Sequence, residues 1–226
     1  RTVRYDIRGF GDSTTEDVEF SNGDDLRAVL DAADARQVAV AGTSRGAMIA
    51  IDAILETPER FVACIWVGGG IGGYDPGIEP PAAEAALDAA WAPAEQARNI
   101  EAMADIDRRM WLDGAGQSAI RVPAPLREAF MAMDRPLVDP NRVFGKPTEL
   151  RPPAAERLAD LTLPTLVVVG ELDSARTRAA AAHLATSAPN ARLISWPDVA
   201  HMVGMEQPQR LAAAIADFLA PLPRWR

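Results

Sequence analysis

The segment Gly42-Thr43-Ser44-Arg45-Gly46 constrains the fold more than any other part of the chain. An apolar run at residues 37–41 precedes it, and residues 47–55 follow it with apolar side chains at helical spacing. A strand, a sharp Gly-x-Ser-x-Gly turn and a helix form the context in which a serine hydroxyl is pushed out of the backbone corner. We predict that both glycines allow the strand and the helix to approach. We also predict that Ser44 is a nucleophile and that the segment is not an ordinary glycine-rich turn.

Composition restricts the number of domains and the class of partner. The length of 226 residues suits one α/β domain. The net charge is −9 and no basic block stands out, so we expect neither nucleic acid nor an anionic membrane surface as a partner. No apolar run approaches the roughly 20 residues that span a bilayer. The single cysteine, Cys64, lies in an apolar run and is predicted to be a buried strand residue. The absence of an intrachain disulfide favours a cytoplasmic location.

The order of the predicted elements indicates an α/β fold with a mostly parallel, doubly wound sheet. We predict strands at residues 2–7, 37–41, 61–67, 163–170 and 191–196. Core helices are predicted from residue 22 to about residue 33, after the Ser44 turn, and at residues 174–187 and 204–219. Residues 74–160 contain no convincing strand, and helices are predicted there at residues 82–91, 94–112 and 125–133. The core therefore comprises residues 1–73 and 161–226, with residues 74–160 inserted as a helical cap over the strand ends.

Three side chains at predicted strand ends could cooperate in nucleophilic catalysis. A serine that attacks a carbonyl needs a base, and the base needs a partner that orients it. His201 lies in the loop after the last strand, whereas His183 lies within an alanine-rich helix and is predicted to have a surface or packing role. Asp173 lies in the loop after the preceding strand. Asp75 is a second candidate for the acid.

These segments resemble the α/β-hydrolase fold family over nearly the whole chain. Residues 5–13, the Ser44 turn and residues 58–61, 170–173 and 200–208 carry the resemblance, including a Glu and a Pro shortly after His201. The resemblance implies that Ser44 is the nucleophile, His201 the base and Asp173 the orienting acid, with the Arg45 backbone N–H as an oxyanion donor. It implies a serine hydrolase with an acyl-enzyme intermediate, a small or medium ester or lactone as the acyl substrate, and no cofactor or metal.

Several alternatives remain open at the level of sequence. The same triad resembles those of cofactor-free perhydrolases and carbon–carbon bond hydrolases, and a degenerate hydrolase fold could serve as a binding protein. The Arg45 side chain could favour a carboxylate-bearing substrate or could pair with a nearby acid. The family's second oxyanion donor follows an earlier strand that these residues do not contain. We therefore expect an additional segment on the order of 30–50 residues, in the same protein or in an associated chain, to complete the sheet.

Overall fold

Four parallel strands form the central sheet of the computed structural model, which describes residues 1–223. In chain order the strands are β1 Glu19–Phe20, β2 Val38–Thr43, β3 Phe61–Val67, β4 Lys146–Pro147, β5 Thr165–Gly170 and β6 Ala191–Trp196. Within the described residues the order of the central sheet is β2-β3-β5-β6. The very short strands β1 and β4 pair with each other in parallel and stand apart from this sheet.

Helices cover both faces of the sheet. In chain order they are α1 Asn22–Ala32, α2 Arg45–Glu56, α3 Ala82–Gln96, α4 Ile100–Asp107, α5 Ala124–Asp134, α6 Ala175–Ser187, α7 Val203–Glu206 and α8 Pro208–Leu219. Apolar side chains of α1, α2 and α6 form one core cluster with one face of the strands. Residues of α8 pack against the opposite face, around Trp196 and Val199.

The apolar runs of β3 and β5 are buried because helices cover both of their faces. Every residue of β5 is buried, as are six of the seven residues of β3. Cys64 is fully buried in β3, and burial raises the pKa of its thiol to about 12. The predicted fold class, a doubly wound parallel α/β sheet, is confirmed, and Cys64 is a buried strand residue.

The predicted strand at residues 2–7 is wrong, because these residues form no ladder in the described structure. A strand is defined by hydrogen bonds to a neighbouring strand, and these residues have no such partner within residues 1–223. Tyr5 and Ile7 are half-buried and pack against the main core cluster. The apolar pattern of this segment therefore reflects packing on the core.

The region predicted as the cap, residues 74–160, contains helices and the short strand β4, and its helix boundaries differ from those predicted. The first helix extends past the predicted end at residue 91 and continues through Pro93 to Gln96. The predicted helix over residues 94–112 is wrong as one unit, because Arg98 has a φ of 50° and Asn99 caps a new helix, α4. The Asn99 side chain accepts a hydrogen bond from the Ala102 N–H at 3.1 Å. A π-helical turn, Arg108–Leu112, follows α4 directly.

Two further boundaries follow from capping and from proline. The Ser174 hydroxyl accepts a hydrogen bond from the Thr177 N–H, so Ser174 caps α6 and lies outside it. The predicted C-terminal helix over residues 204–219 is divided at Gln207, and Pro208 begins α8. Proline suits the first helical position because its missing N–H has no intrahelical partner there. No helix within residues 1–223 is long and apolar enough to cross a membrane.

The helices α3, α4 and α5 have apolar contacts of their own. Leu87, Met103 and Met110 belong to a buried cluster that does not include the sheet. A second cluster contains Phe130, and the residue after His201, Met202, packs against it. The cap helices therefore contact the loop that follows β6.

Candidate active site

Ser44 occupies a strained corner between β2 and α2. Its φ of 54° and ψ of −118° lie in a region that non-glycine residues rarely adopt. A Cβ on Gly42 would lie 2.1 Å from the Gly46 carbonyl oxygen, so only glycine permits this approach. A Cβ on Gly46 would meet no atom within 4 Å. The prediction that both glycines are required is therefore correct for Gly42 and wrong for Gly46.

The hydroxyl of Ser44 and the backbone N–H of Arg45 are both available at this corner. Ser44 is the N-cap residue of α2, yet its side chain makes no capping hydrogen bond. Arg45 is the first residue of the helix, so its N–H has no carbonyl partner four residues earlier within α2. The exposed Arg45 guanidinium lies 5.2 Å from the centroid of the Phe10 ring. Within residues 1–223 it forms no ion pair.

Asp173 and His201 are hydrogen-bonded across the loops that follow β5 and β6. His201 Nδ1 lies 3.0 Å from Asp173 Oδ1 and 2.9 Å from Oδ2. Asp173 is only 2% exposed and also accepts a hydrogen bond from the Ser174 N–H at 2.7 Å. A carboxylate accepts hydrogen bonds, so the proton belongs on Nδ1 in this arrangement. His201 Nε2 is then left with a lone pair.

Gly68, the residue after β3, lies against this pair. Its φ is +51°, and a Cβ there would lie 3.2 Å from Asp173 Oδ2 and 3.6 Å from His201 Nδ1. Position 68 therefore favours glycine, because its φ is positive and because a Cβ there would press on Asp173. The sequence contains three consecutive glycines at this strand end, but their pattern did not indicate which one faces the acid and the base.

Ser44 and His201 line one cavity of about 1430 Å³ between the sheet and the cap. Residues 68–74, which follow β3, form part of its wall, and Trp111, Phe130 and Met133 of the cap form another part. In the described residues no hydrogen bond joins the Ser44 hydroxyl to the His201 ring. Such bonds commonly tighten only in the complex with substrate.

The π-helical turn of the cap holds the backbone and the ring of His201. The Trp111 carbonyl accepts hydrogen bonds from the N–H groups of His201 (3.1 Å) and Met202 (3.3 Å). The Trp111 ring lies 4.8 Å from the His201 ring, centroid to centroid. π-Turns are often found at functional sites. Here the wider turn places one residue against both the backbone and the ring of the candidate base.

A second contact joins the cap to the same loop through Arg121. Its guanidinium donates to the Glu206 carboxylate, to the Asp198 carbonyl oxygen at 2.9 Å and to the Leu112 carbonyl oxygen. Glu206 in turn accepts from the Ala200 N–H at 2.8 Å. Glu206 belongs to the motif noted in the sequence, but Arg121 lies 85 positions away, so no local pattern could reveal this pair.

Asp75 and His183 lie away from the Asp173 and His201 pair. The exposed Asp75 side chain forms an ion pair with Arg176 at 3.2 Å and accepts from the Gly77 N–H. The His183 ring stacks on Tyr74, with centroids 4.3 Å apart and an interplanar angle of 7°, which fits its predicted packing role. Within residues 1–223 no group of three or more histidine, cysteine or acidic side chains could hold a metal ion.

Three carboxyl groups in the cavity wall were not anticipated from the sequence. Burial raises the pKa of Asp107 to about 6, although the Trp111 indole donates to it. Burial and the charge of Asp107 raise the pKa of Asp134 to about 7. Burial, with a smaller contribution from Glu56, raises the pKa of Asp52 to about 6. The only signal in the sequence was an acidic residue among apolar neighbours in a helix, which is common on solvated faces.

Comparison with known proteins agrees with this architecture. Residues 1–214 match the model of the alpha/beta hydrolase family. A solved structure described as Est816, an N-acyl homoserine lactone degrading enzyme, is 27% identical with a TM-score of 0.68, over 94% of this chain and 80% of that one. A hydrolase from Pseudomonas aeruginosa PA01 is 24% identical with a TM-score of 0.71, over 96% and 78% of the two chains. The esterase RhEst1 from Rhodococcus sp. ECU1013 is 21% identical with a TM-score of 0.73, over 96% and 79%. The family model spans the strained serine corner, the cap and the Asp173–His201 pair, and the chain belongs to the alpha/beta hydrolase family.

Proposed function

We propose that this protein is a serine hydrolase that cleaves a small or medium carboxylic ester or lactone through an acyl-enzyme on Ser44. The observation that carries the proposal is the hydrogen bond from His201 Nδ1 to Asp173 beside a cavity that Ser44 and His201 share. This arrangement leaves His201 Nε2 free to accept the serine proton. An ester-cleaving and a lactone-degrading protein among the solved structures make this chemistry the first to test.

The reaction proceeds in two stages. Ser44 Oγ attacks the substrate carbonyl carbon while His201 Nε2 takes the hydroxyl proton, and the Arg45 N–H donates to the oxyanion. The tetrahedral intermediate collapses as the bond between the acyl carbon and the alcohol oxygen breaks, and His201 returns the proton to the leaving alcohol. Water then attacks the acyl-enzyme, with His201 accepting one proton of that water. The bond from Ser44 Oγ to the acyl carbon then breaks, His201 returns the proton to Oγ, and the carboxylic acid is released.

Asp173 supports both stages through His201. Its buried carboxylate holds the imidazole in the Nδ1-protonated tautomer and stabilises the imidazolium that forms in each stage. Loss of the positioning carboxylate in such a triad typically lowers kcat by about 10⁴-fold. Trp111 and Arg121 form hydrogen bonds with the backbone of the loop that carries His201.

The test is covalent labelling with a fluorophosphonate, followed by intact mass and mapping of the modified site. We expect stoichiometric labelling of the wild-type protein at Ser44 and none in Ser44→Ala, since only a serine activated by a base reacts rapidly. The exposed Ser118 provides a matched control, and Ser118→Ala is expected to label like the wild type.

Two results would contradict the proposal. A folded wild-type sample that does not react would mean that the fold serves a binding role and has no activated serine. Undiminished labelling of Ser44→Ala would mean that a different residue is the nucleophile. A labelled protein justifies a screen of esters and lactones, because the fold alone does not identify the substrate.

A further inference from the structure

The cap side of the cavity carries two acidic side chains between aromatic walls. Asp107 at the end of α4 and Asp134 at the end of α5 both line the cavity that contains Ser44 and His201. The aromatic side chains of this wall are Trp91, Trp111 and Phe130. The mechanism proposed above uses neither carboxylate. Two acids in an otherwise apolar wall therefore need a separate explanation.

Asp134 is buried and lacks a hydrogen-bond donor for one of its oxygens. The residue is 8% exposed, and its Oδ2 has no hydrogen-bond partner within the described residues. A buried acceptor without a donor is unfavourable by the cost of removing its water. Burial raises the pKa of both Asp107 and Asp134, and the charge of Asp107 raises the pKa of Asp134 further. A bound cation that donates hydrogen bonds would supply the missing donor and would stabilise the charged forms of both acids.

No arginine near this wall compensates the charge of Asp107 or Asp134 by an ion pair in the part of the chain that the structure describes. Within residues 1–223, no ion pair includes Asp107 or Asp134. On the adjoining helices, Arg135 pairs with Glu101 in an exposed salt bridge at 2.7 Å. The arginines that line other parts of the cavity have different neighbours: Arg45 lies over Phe10, and Arg176 pairs with Asp75. Arg151 also lines the cavity.

Asp107 lies one indole ring away from the candidate base. The Trp111 Nε1–H donates to Asp107 Oδ1 at 3.0 Å, and the same indole packs against the His201 ring at 4.8 Å. In ester cleavage His201 must return its proton to the leaving oxygen, so the alcohol part of the substrate lies on the side of His201. A group a few bonds into the alcohol chain would then reach the acidic wall.

We infer that Asp107 and Asp134 bind an ammonium group in the alcohol part of the substrate, which makes amine-bearing alkyl esters the preferred class. This inference rests on the proposed function. The ammonium group supplies positive charge and N–H donors to the two carboxyl groups that line the cavity. The aromatic faces of Trp91, Trp111 and Phe130 pack on the alkyl chain and attract the cation.

The test compares two esters of equal size that differ in one terminal group. 5-Aminopentyl acetate carries an ammonium where hexyl acetate carries a methyl group. We expect wild-type kcat/KM to be roughly 10- to 100-fold higher for the amino ester, since a site built for a hydrogen-bonding group discriminates strongly against an analogue that lacks it. In Asp134→Asn and in Asp107→Asn the ratio should fall roughly tenfold or more. Glu128→Gln, which removes an exposed charge from the same helix, should keep the wild-type ratio.

A binding measurement separates this inference from the proposed activity. Calorimetry of the wild-type protein with 5-aminopentan-1-ol should show binding with net proton release, because the carboxyl groups ionise against the cation; hexan-1-ol should bind more weakly. If hexyl acetate is hydrolysed without any preference for the amino ester, the inference is wrong and the proposed function stands. If neither ester is hydrolysed but the amino alcohol binds and Asp134→Asn abolishes its binding, the inference stands and ester cleavage fails. Equal binding by Asp134→Asn and the wild type overturns the inference.

Discussion

The strained backbone of Ser44 is possible because one neighbour, Gly42, has no side chain. The close approach of Gly42 to Gly46 leaves no room for a Cβ, and the buried helix α2 holds the corner in place. Strain of this kind typically costs about 1–3 kcal/mol, and the packing of α2 must exceed it. The result is an uncapped serine hydroxyl beside a free helix N-terminus.

Gly68 is the residue at which the acid and the base can be tested together. We predict that Gly68→Ala lowers the free energy of unfolding by about 1–2 kcal/mol, because alanine is strained at a φ of +51°. It should also lower kcat, because the new methyl group presses on Asp173. Urea unfolding and ester kinetics measure the two effects.

Gly77 offers a matched control for that substitution. Its φ is +61°, but a Cβ there would meet no atom within 4 Å. Gly77→Ala should therefore show a similar loss of stability with unchanged kcat. If the two variants lose the same fraction of kcat, the contact of Gly68 with Asp173 has no influence on the reaction.

At the scale of elements, the cap positions the loop that carries His201. The π-turn supplies the Trp111 carbonyl and ring, and the short 3₁₀ helix before α5 supplies Arg121. Both contacts come from a region that contributes no strand to the central sheet. The cap therefore forms one wall of the cavity and also fixes the position of the candidate base.

We predict that Arg121→Met lowers the free energy of unfolding by about 3 kcal/mol, because the Glu206 side chain, only 6% exposed, would keep an uncompensated charge. It should also lower kcat more than it changes KM, since the loop that carries His201 loses its hydrogen bonds to Arg121.

The double variant Arg121→Met/Glu206→Gln should recover part of the stability. Arg135→Met, which breaks an exposed pair with Glu101, should change stability by less than about 1 kcal/mol. Additive losses in the double variant would contradict this account.

Asp134 gives the end of α5 a pH-dependent effect on stability. Folding raises its pKa from 3.8 to about 7 by burial and by the charge of Asp107. A raised pKa means that folding favours the protonated form. The contribution of this carboxyl group to the free energy of unfolding is therefore complete below about pH 4 and is lost as the pH rises towards 7. We predict that Asp134→Asn is more stable than the wild type by about 2–4 kcal/mol at about pH 8 and nearly equal to it at about pH 4.

Urea unfolding at the two pH values measures this difference. Asp88→Asn changes an exposed carboxylate on α3 and should show no such dependence. A difference between Asp134→Asn and the wild type that is the same at both pH values would mean that the Asp134 carboxyl is not responsible.

At the scale of the whole molecule, β2 is an edge strand of the central sheet within residues 1–223. Ala41 and Thr43 on this strand are exposed, whereas every residue of β5 is buried. An apolar edge with free backbone groups is a template for pairing with another strand. We propose that a further strand, from an additional segment or an associated chain, pairs with the outer edge of β2.

We predict that the 226-residue chain alone associates through this edge as its concentration rises. Light scattering should show the association, and Ala41→Lys should reduce it because a charge on an edge strand opposes pairing. Arg36→Lys, just before the strand, keeps the charge and should behave like the wild type. A monomeric, active 226-residue chain at high concentration would contradict the proposal.

The sequence by itself determined the features that depend on local pattern. The apolar residues of β3 and β5, together with helical periodicity between these strands, were enough to predict the parallel, doubly covered sheet. The Gly-x-Ser-x-Gly turn identified the strained corner. His201 and Asp173 were located because both follow predicted strands, and parallel strands bring their ends to one edge.

The tertiary structure alone decided what depends on contacts between distant segments. The sequence at residues 2–7 reads as a strand, but strand formation requires a partner, and none lies beside these residues in the described structure. Arg121 meets Glu206 across 85 positions, and Asp107 and Asp134 face one cavity although 27 positions separate them. Burial, which raises the pKa values of these two acids, arises only when α4 and α5 pack together. Local sequence specifies the propensity of each element, whereas the energy of a buried charge or an edge strand depends on what the fold places beside it.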